Sequence, residues 1–462
     1  MKQLLREIIK AQNGFVEIRY QKKTNQSLFA ENGKIESSAI ARKTGIGIRV
    51  LENGSWGFSS TGTLTKDAIY KAIDRARKSA VYSAKGRSEK ISISGNIQLA
   101  KGDFILDGVS EIESLQIDSK IDLVLNAEKT AKNLSNQLQT ASSRYSEILE
   151  EKHVLTTDGA DAYTKLVRPE FSVSATATKN GNMLQARESI GVTGGWDCLF
   201  QENSFQKLAE SAVSNAVHLL DSGFPDGGMH TVILSPSIVG LLIHEAIGHT
   251  VEADFVLSGS VASGKLGQRV GSELVNLSDS GSSEFFTGAG GTFPVDDEGV
   301  FTQNTQIIKD GILKSYLHNR ETANIFGVEP TGSARAWDFS DVPLIRMRNT
   351  YLHPGESSLE EMIANTKEGY FLEGALNGQA DATGEFMFAT LKARKIENGK
   401  LTKLCRGVSV SGLAFDVLAN IDMVSKEFKW DLGSGYCGKG QPAKVDAGGP
   451  YVRTKVLLGG VS

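Results

Sequence analysis

The residues best equipped for chemistry in this sequence are two histidines and the acid that follows the first of them. They stand in Ser235-Pro-Ser-Ile-Val-Gly-Leu-Leu-Ile-His244-Glu245-Ala-Ile-Gly248-His249-Thr-Val-Glu252-Ala-Asp254, which holds two of the chain's seven histidines. Two imidazoles at the end of an apolar run, with a carboxylate beside them, make a donor set for a metal ion. Their spacing is i and i+5, whereas the zinc-protease signature places its histidines at i and i+4. In a regular helix of ~3.6 residues per turn, five residues leave the side chains about 140° apart, so both rings could not reach one ion. Gly248 permits a loosened π-type turn or an outright end to the helix, and either brings the rings back together. The plainer reading is two core histidines bonded to backbone.

A catalytic zinc takes three protein ligands and keeps one position open. For the third ligand the sequence offers Glu252, Asp254, His318, His353, Cys405 and Cys437. Cys437 lies in Gly433-Ser-Gly-Tyr-Cys437-Gly-Lys-Gly-Gln-Pro442, where flanking glycines allow a close backbone approach and a thiolate is a good zinc ligand. Cys405 has the bulky flanks of a core thiol. The residues alone put Cys437 ahead and leave the choice open. If the site is catalytic, Glu245 takes a proton from a metal-activated water that attacks a carbonyl, and returns it to a leaving amine. If it is structural, Glu245 is a salt-bridge or hydrogen-bond partner of a histidine. Gly433, Gly435 and Gly438 spell a dinucleotide-binding fingerprint, but Pro442 and more glycines follow where that motif needs a helix.

The elements that must position these residues are readable in outline. Thr231–Leu234 is a β-branched strand. Ser235 is placed to cap the next helix and Pro236 to occupy its first turn. Ile238, Val239, Leu241, Leu242 and Ile243 make that helix apolar on most sides, so it is buried. Upstream, residues 2–12 read as a helix. Alternating strands follow from Phe15 to Ser59, with Asn32-Gly33 and Asn53-Gly54 as hairpin turns. Thr65 caps a helix to about Ala80, with Ala68, Ile69, Ala72, Ile73 and Ala76 on one face. Residues 81–110 look like a connector or flap, and 112–138 like one long helix of alternating charge. Strands are expected near 142–150, 153–162 and 170–179, and a helix over 205–220. His153, alone in a strand pattern, reads as structural. The turn-rich Ser222–Gly228 segment is the expected boundary between an N-terminal domain, 1–221, and a C-terminal domain, 229–462. Segment 257–291 is rich in Gly and Ser and reads as a lid or as a surface insert. Asp296-Asp297-Glu298 form an acidic turn able to bind a cation but better explained as a hairpin. Asp310-Gly311 and Asn398-Gly399 turn two further hairpins. The fold class is α+β, with an N-terminal antiparallel sheet carrying helices and a largely antiparallel C-terminal β domain carrying the metal-binding helix.

Composition narrows the partners. The 462 residues carry 50 basic and 54 acidic side chains, a formal net charge of −4, which points to neither nucleic acid nor an anionic membrane. Three separated cysteines make no disulfide framework, and the charged N-terminus is no signal peptide. No run approaches eighteen apolar residues. A cytoplasmic protein is expected.

Taken together, His244-Glu-Ala-Ile-Gly-His249 with Glu252 and Asp254, Val295-Asp-Asp-Glu-Gly299, Asn349-Thr-Tyr-Leu-His-Pro-Gly355 and Tyr436-Cys-Gly-Lys-Gly440 resemble the TldD/PmbA metalloproteases, also called modulators of DNA gyrase, and the TldD type in particular. The pattern from Val16 through Trp56-Gly57 is similar to that family's first domain. The resemblance implies a zinc-dependent peptidase with His244, His249 and Cys437 as ligands and Glu245 as base. It implies substrates that are unfolded or short polypeptides bound as an added strand. It also implies a dimer, or a heterodimer with an inactive PmbA/TldE-type relative. The sequence departs from the family in segment 257–291 and in Pro442–Gly449. Two other functions compete with peptide hydrolysis: a small-molecule amidase, and a non-catalytic zinc-binding regulatory subunit with a fourth protein ligand.

Overall fold

Paired Asn-Gly and Asp-Gly turns set the register of much of the molecule, which we describe from a computed structural model covering all residues except Ser94, Asn96, Phe286, Leu432 and 460–462. The last residues of the 229–462 unit and one residue of the 257–291 segment therefore lie outside the described residues. Asn32, Asn53, Asp310 and Asn398 have φ near +50°, and the glycine after each has φ near +74°. Two successive left-handed residues make the hairpin turn whose twist matches its strands. Asn180-Gly181 forms a fifth such turn, not singled out from sequence.

The N-terminal half is a seven-stranded sheet. Helix α1 (Lys2–Lys10) precedes strands β1 (Phe15–Glu31), β2 (Lys34–Glu52) and β3 (Ser55–Thr61), and α2 (Lys66–Ser83) follows. The segments read separately within 15–30 and 35–50 are each one long strand. Thr65 does cap α2, its hydroxyl accepting from the Ala68 amide at 3.4 Å, and Ile69, Ala72, Ile73 and Ala76 are buried against the sheet. The expected connector contains β4 (Lys101–Ile105), parallel to β6 (Asp161–Lys179). The expected long helix is two, α3 (Val109–Ser114) and α4 (Ile117–Asn133), separated by extended Leu115 and Gln116. The break has a packing reason. Val109 and Ile112 pack with Val167, whereas Val124, Ala127 and Ala131 belong to a different core. Strands β5 (Leu138–Thr156), β6 (Asp161–Lys179) and β7 (Asn182–Gly191) complete the order β3-β2-β1-β5-β6-β4, with β7 beside β6. Helices α5 (Trp196–Leu199) and α6 (Phe205–His218) follow, α6 packing on β6 and β7.

The C-terminal half holds an eleven-stranded, mostly antiparallel sheet. It begins with β8 (Gly228–Leu234), then helix α7 (Pro236–Leu242), a π turn (Ile243–Gly248) and α8 (Ala253–Leu257). Strands β9 (Leu277–Ser280), β10 (Asn304–Lys309) and β11 (Ile312–Leu313) lead to a two-residue ladder of β12 (Ala334–Arg335) and β13 (Leu344–Ile345). There follow β14 (Asn349–Leu352), β15 (Glu368–Ala380), β16 (Glu385–Glu397), β17 (Lys400–Arg406), β18 (Ser409–Leu413) and β19 (Met423–Trp430). A small hairpin of β20 (Tyr436–Gly438) and β21 (Pro442–Lys444) precedes β22 (Asp446–Leu458). Because β8 pairs with both β15 and β22, the strands β22-β18-β16-β15-β8 close into a ring.

All seven residues of α7 are buried, packed on β22, β15, β19 and β14. A helix this short is not stable alone, since isolated helices need ~12–15 residues even in favourable sequences. Burial of each Ile, Val or Leu contributes roughly 1.5–3 kcal/mol, so the surrounding strands hold it. Ser235 occupies the N-cap position, but its side chain caps nothing and lies 3.2 Å from the Ser237 hydroxyl. Segment 257–291 carries β9 and is tied to the sheet through Gly290 N–H to Asp446 (2.8 Å) and Gly291 N–H to Asn349 (2.8 Å), so much of it is packed structure and not a surface insert.

Candidate metal centre

The i,i+5 spacing is resolved by a π turn. The His249 amide donates to the His244 carbonyl at 3.3 Å, an i→i+5 bond, so the helix widens where the two histidines stand. Their ring centroids come to 5.2 Å with the planes 80° apart. Gly248 is required by proximity: a Cβ there would lie 1.8 Å from the sulfur of Met347.

Cys437, on β20, reaches the same place from the far end of the chain. Its Sγ lies 3.1 Å from His249 Nε2, and donor atoms of His244, His249 and Cys437 all lie within 4.8 Å of one another. His244 and Cys437 are each 4% exposed. Burial alone would raise the Cys437 thiol, but His244 and His249 overcome it and bring its pKa down to about 4. Burial would lower His249, but hydrogen bonds to Cys437 and Glu252 raise it to about 10. Each group thus favours the charged form of the other. His244 Nδ1 is buried with no hydrogen-bond partner. Buried thiolate, two imidazoles and an unpartnered ring nitrogen suit a borderline-soft divalent ion such as zinc.

The other third-ligand candidates are engaged elsewhere. Glu252, fully buried, accepts from His249 Nδ1 at 3.2 Å and so supports the ring from behind. Asp254 pairs with Lys439 at 2.7 Å. His318 meets Thr322 in an aromatic cluster, and burial lowers its pKa to about 4. His353 bonds Ser278, and Cys405 is a buried thiol on β17. His153 bonds Asp161 at 2.8 Å, a structural role as expected. No helix follows the three glycines at 433–438; the turn into β21 does.

Sequence reasoning missed Lys439. Its ammonium donates to Glu252 (3.0 Å), Asp254 (2.8 Å) and the Ile345 carbonyl (3.2 Å), and sits 4.1 Å over the Phe255 ring. It thus ties the Cys437 hairpin to the turn that carries the histidines. The signal was present in its position two residues after Cys437, and in Glu252 standing three after His249.

A cavity of about 430 Å³ opens on the cluster, lined by Glu245, His249, Tyr436, Cys437 and Gly378–Ala382. Glu245 Oε2 lies 4.0 Å from His249 Nε2. β15 pairs with β16 along one side, while on the other β8 covers only Tyr370–Leu372. Beyond that point no described strand pairs with this side, and Gly378, Gln379 and Ala380 line the cavity. A second hollow of about 550 Å³ continues along Glu373–Leu376.

Comparison with known proteins gives the chain its relatives. Profiles described as PmbA/TldA metallopeptidase domain 1, central domain and C-terminal domain match residues 16–80, 110–220 and 226–459. A metalloprotease of Methanocaldococcus jannaschii is 36% identical over 95% of this chain and 96% of its own length. The zinc metalloprotease TldD homolog of Saccharolobus solfataricus is 30% identical over 96% of each. Among solved structures, TldE from Thermococcus kodakarensis superposes with a TM-score of 0.79 at 17% identity, covering 99% of both chains. A proposed modulator of a DNA gyrase from Thermotoga maritima gives 0.79 at 23%, covering 99% of this chain and 98% of its own. At those identities the two structures speak to the fold, which they share. None of the described helices is long and apolar enough to cross a membrane.

Proposed function

The chain belongs to the PmbA/TldD family of metallopeptidases, and from that premise we propose that it is a zinc-dependent peptidase with His244, His249 and Cys437 as ligands and Glu245 as general base. One observation carries the reading: two imidazoles from a single π turn and a thiolate 188 residues downstream converge beside an open cavity. Bound there, zinc supplies Lewis acidity that makes water nucleophilic near neutral pH and polarises a carbonyl. The remaining work falls to the chain. Glu245, facing the cavity, takes a proton from the attacking water and returns it to the departing amine. Glu252 holds Nδ1 of His249 and leaves Nε2 turned toward the centre. The open side of β15 takes the substrate main chain as an added strand, which selects extended backbone, hence unfolded or short polypeptides. The same reading gives residues 1–221 as an N-terminal α+β domain of TldD/PmbA type and 229–462 as the metalloprotease domain. It further gives a cytoplasmic protein working as a dimer, with a second copy or a TldE-type relative.

The test is Glu245→Ala. Cleavage of an unfolded peptide should fall about 10²–10⁴-fold, while metal analysis still finds stoichiometric zinc. Undiminished cleavage would remove Glu245 as the base, and loss of zinc would make it a ligand.

A further inference from the structure

Arg346 is completely buried, and among the described residues it has no ion pair. An unpaired interior guanidinium is costly unless its donors are used. Two are used on the metal-site hairpin: Nη1 donates to the Gln441 carbonyl at 2.8 Å and Nη2 to the Cys437 carbonyl at 2.7 Å. Gln441 is held a second time by the loop between β12 and β13. Its side-chain oxygen accepts from the Trp337 amide (2.7 Å), and its amide donates to the Val342 carbonyl (2.8 Å).

That same loop is anchored on its other side by the N-terminal sheet. Gln21 and Lys23 donate to the Trp337 carbonyl at 2.9 and 2.6 Å. Lys23 and Lys43 both pair with Asp338, at 2.9 and 2.8 Å, and Arg19 donates to the Asp341 carbonyl. Phe339 lies against β2, where a Cβ at Gly45 would come within 2.4 Å of its ring and one at Gly47 within 2.2 Å of its carbonyl. Two strand glycines thus make room for one phenylalanine.

We propose that the Trp337–Asp341 loop is a strap through which the N-terminal sheet positions Cys437, with Arg346 as the positioning residue at its inner end. The sheet fixes the loop, the loop and Arg346 fix the Gln441 turn, and the turn sets the sulfur against His249. Docking of the two halves thereby becomes a condition for a complete ligand set. The inference rests on Cys437 being a ligand, and its test separates the two ideas.

Phe339→Ala removes the ring seated on β2, and Arg346→Met removes both bonds to the turn. Full-length, metal-free protein is alkylated with iodoacetamide well below its melting temperature, and the rates at Cys437 and Cys405 are read separately by mass spectrometry. Zinc affinity is measured by competition with a chromophoric chelator. Cys437 should react about tenfold faster in both variants with Cys405 unchanged, and zinc should bind about 10–100-fold more weakly, as for lost outer-shell partners. Arg346→Lys should fall between. Both thiols accelerating together would indicate general loosening, and no acceleration would show Cys437 held without the strap; either overturns the proposal. If Arg346→Met does not fold, Phe339→Ala, on a half-buried ring, carries the test. Unaltered protein that binds no zinc would sink the ligand assignment, while the thiol rates would still decide the strap.

Discussion

Two regions of this molecule bury charge, and they do so in opposite ways. Around Asp296-Asp297-Glu298, every carboxylate has a counterpart. Arg49 donates to Glu17 at 2.7 Å and to Glu298 at 2.5 Å, Lys152 to Asp297 at 3.0 Å, and Arg19 pairs with Glu17 at 3.2 Å. Asp296 accepts backbone amides of Glu298, Val300 and Ala334. The acidic turn that could have bound a cation is already neutralised, and it fastens the N-terminal sheet to the C-terminal half. At the π turn, by contrast, two imidazoles and a thiol bring their donor atoms within 4.8 Å of one another. Carboxylates matched to guanidinium, ammonium and amide groups mark a joint, and soft donors converging on one point mark a site. Acid content alone would have ranked these two regions the wrong way round.

The contrast can be broken by substitution at either place. The largest effect is expected from Cys437→Ala, which should abolish stoichiometric zinc in the purified protein while its metal-free melting temperature changes little. Retained zinc would move the third ligand elsewhere. Arg49→Met should do the reverse. Removing one partner of a buried pair costs about 3–5 kcal/mol, so the denaturation midpoint should drop sharply with zinc content intact; a midpoint within error of the unaltered protein would refute the joint.

A smaller effect concerns acid. Burial pushes the Glu150 carboxyl up, but Lys152, Arg168 and Lys23, with a hydrogen bond from Gln21, bring it down to about 2 from an ordinary 4.5. Its folded pKa lies below its unfolded one, so its contribution is complete above about 4.5 and is lost as pH falls toward 2. Glu150→Gln should therefore flatten the fall in urea midpoint between pH 5 and 3. An unchanged slope would mean that other carboxylates carry the acid sensitivity.

Much of this was legible in the sequence where one local rule decides the outcome. Asn32-Gly33 and its counterparts turn because both residues accept positive φ. The π turn was legible because five-residue spacing fails in a regular helix and Gly248 offers relief. Where tertiary packing decides, the sequence misleads. Gly448 and Gly449 carry no side chain to announce a strand, yet they lie in β22, where a Cβ at Gly449 would come within 2.9 Å of Val239 on α7. Residues 112–138 read as one helix because nothing local marks Leu115 and Gln116 as the seam between two cores. Arg346 carries no signature of its own, since its work is defined only by which carbonyls come within reach.

The closed ring of strands has a consequence for how the protein is made. β8 and α7 are synthesised early in the C-terminal half, but the ring around them is completed by β22, which begins at Asp446. At ~5–20 residues per second of translation, the greasy helix waits on the order of tens of seconds for its final wall. Throughout that interval the sulfur donor, at position 437, is absent or newly emerged. A cluster that waits for a residue 188 positions downstream of His249 stays open while most of the C-terminal half is being made.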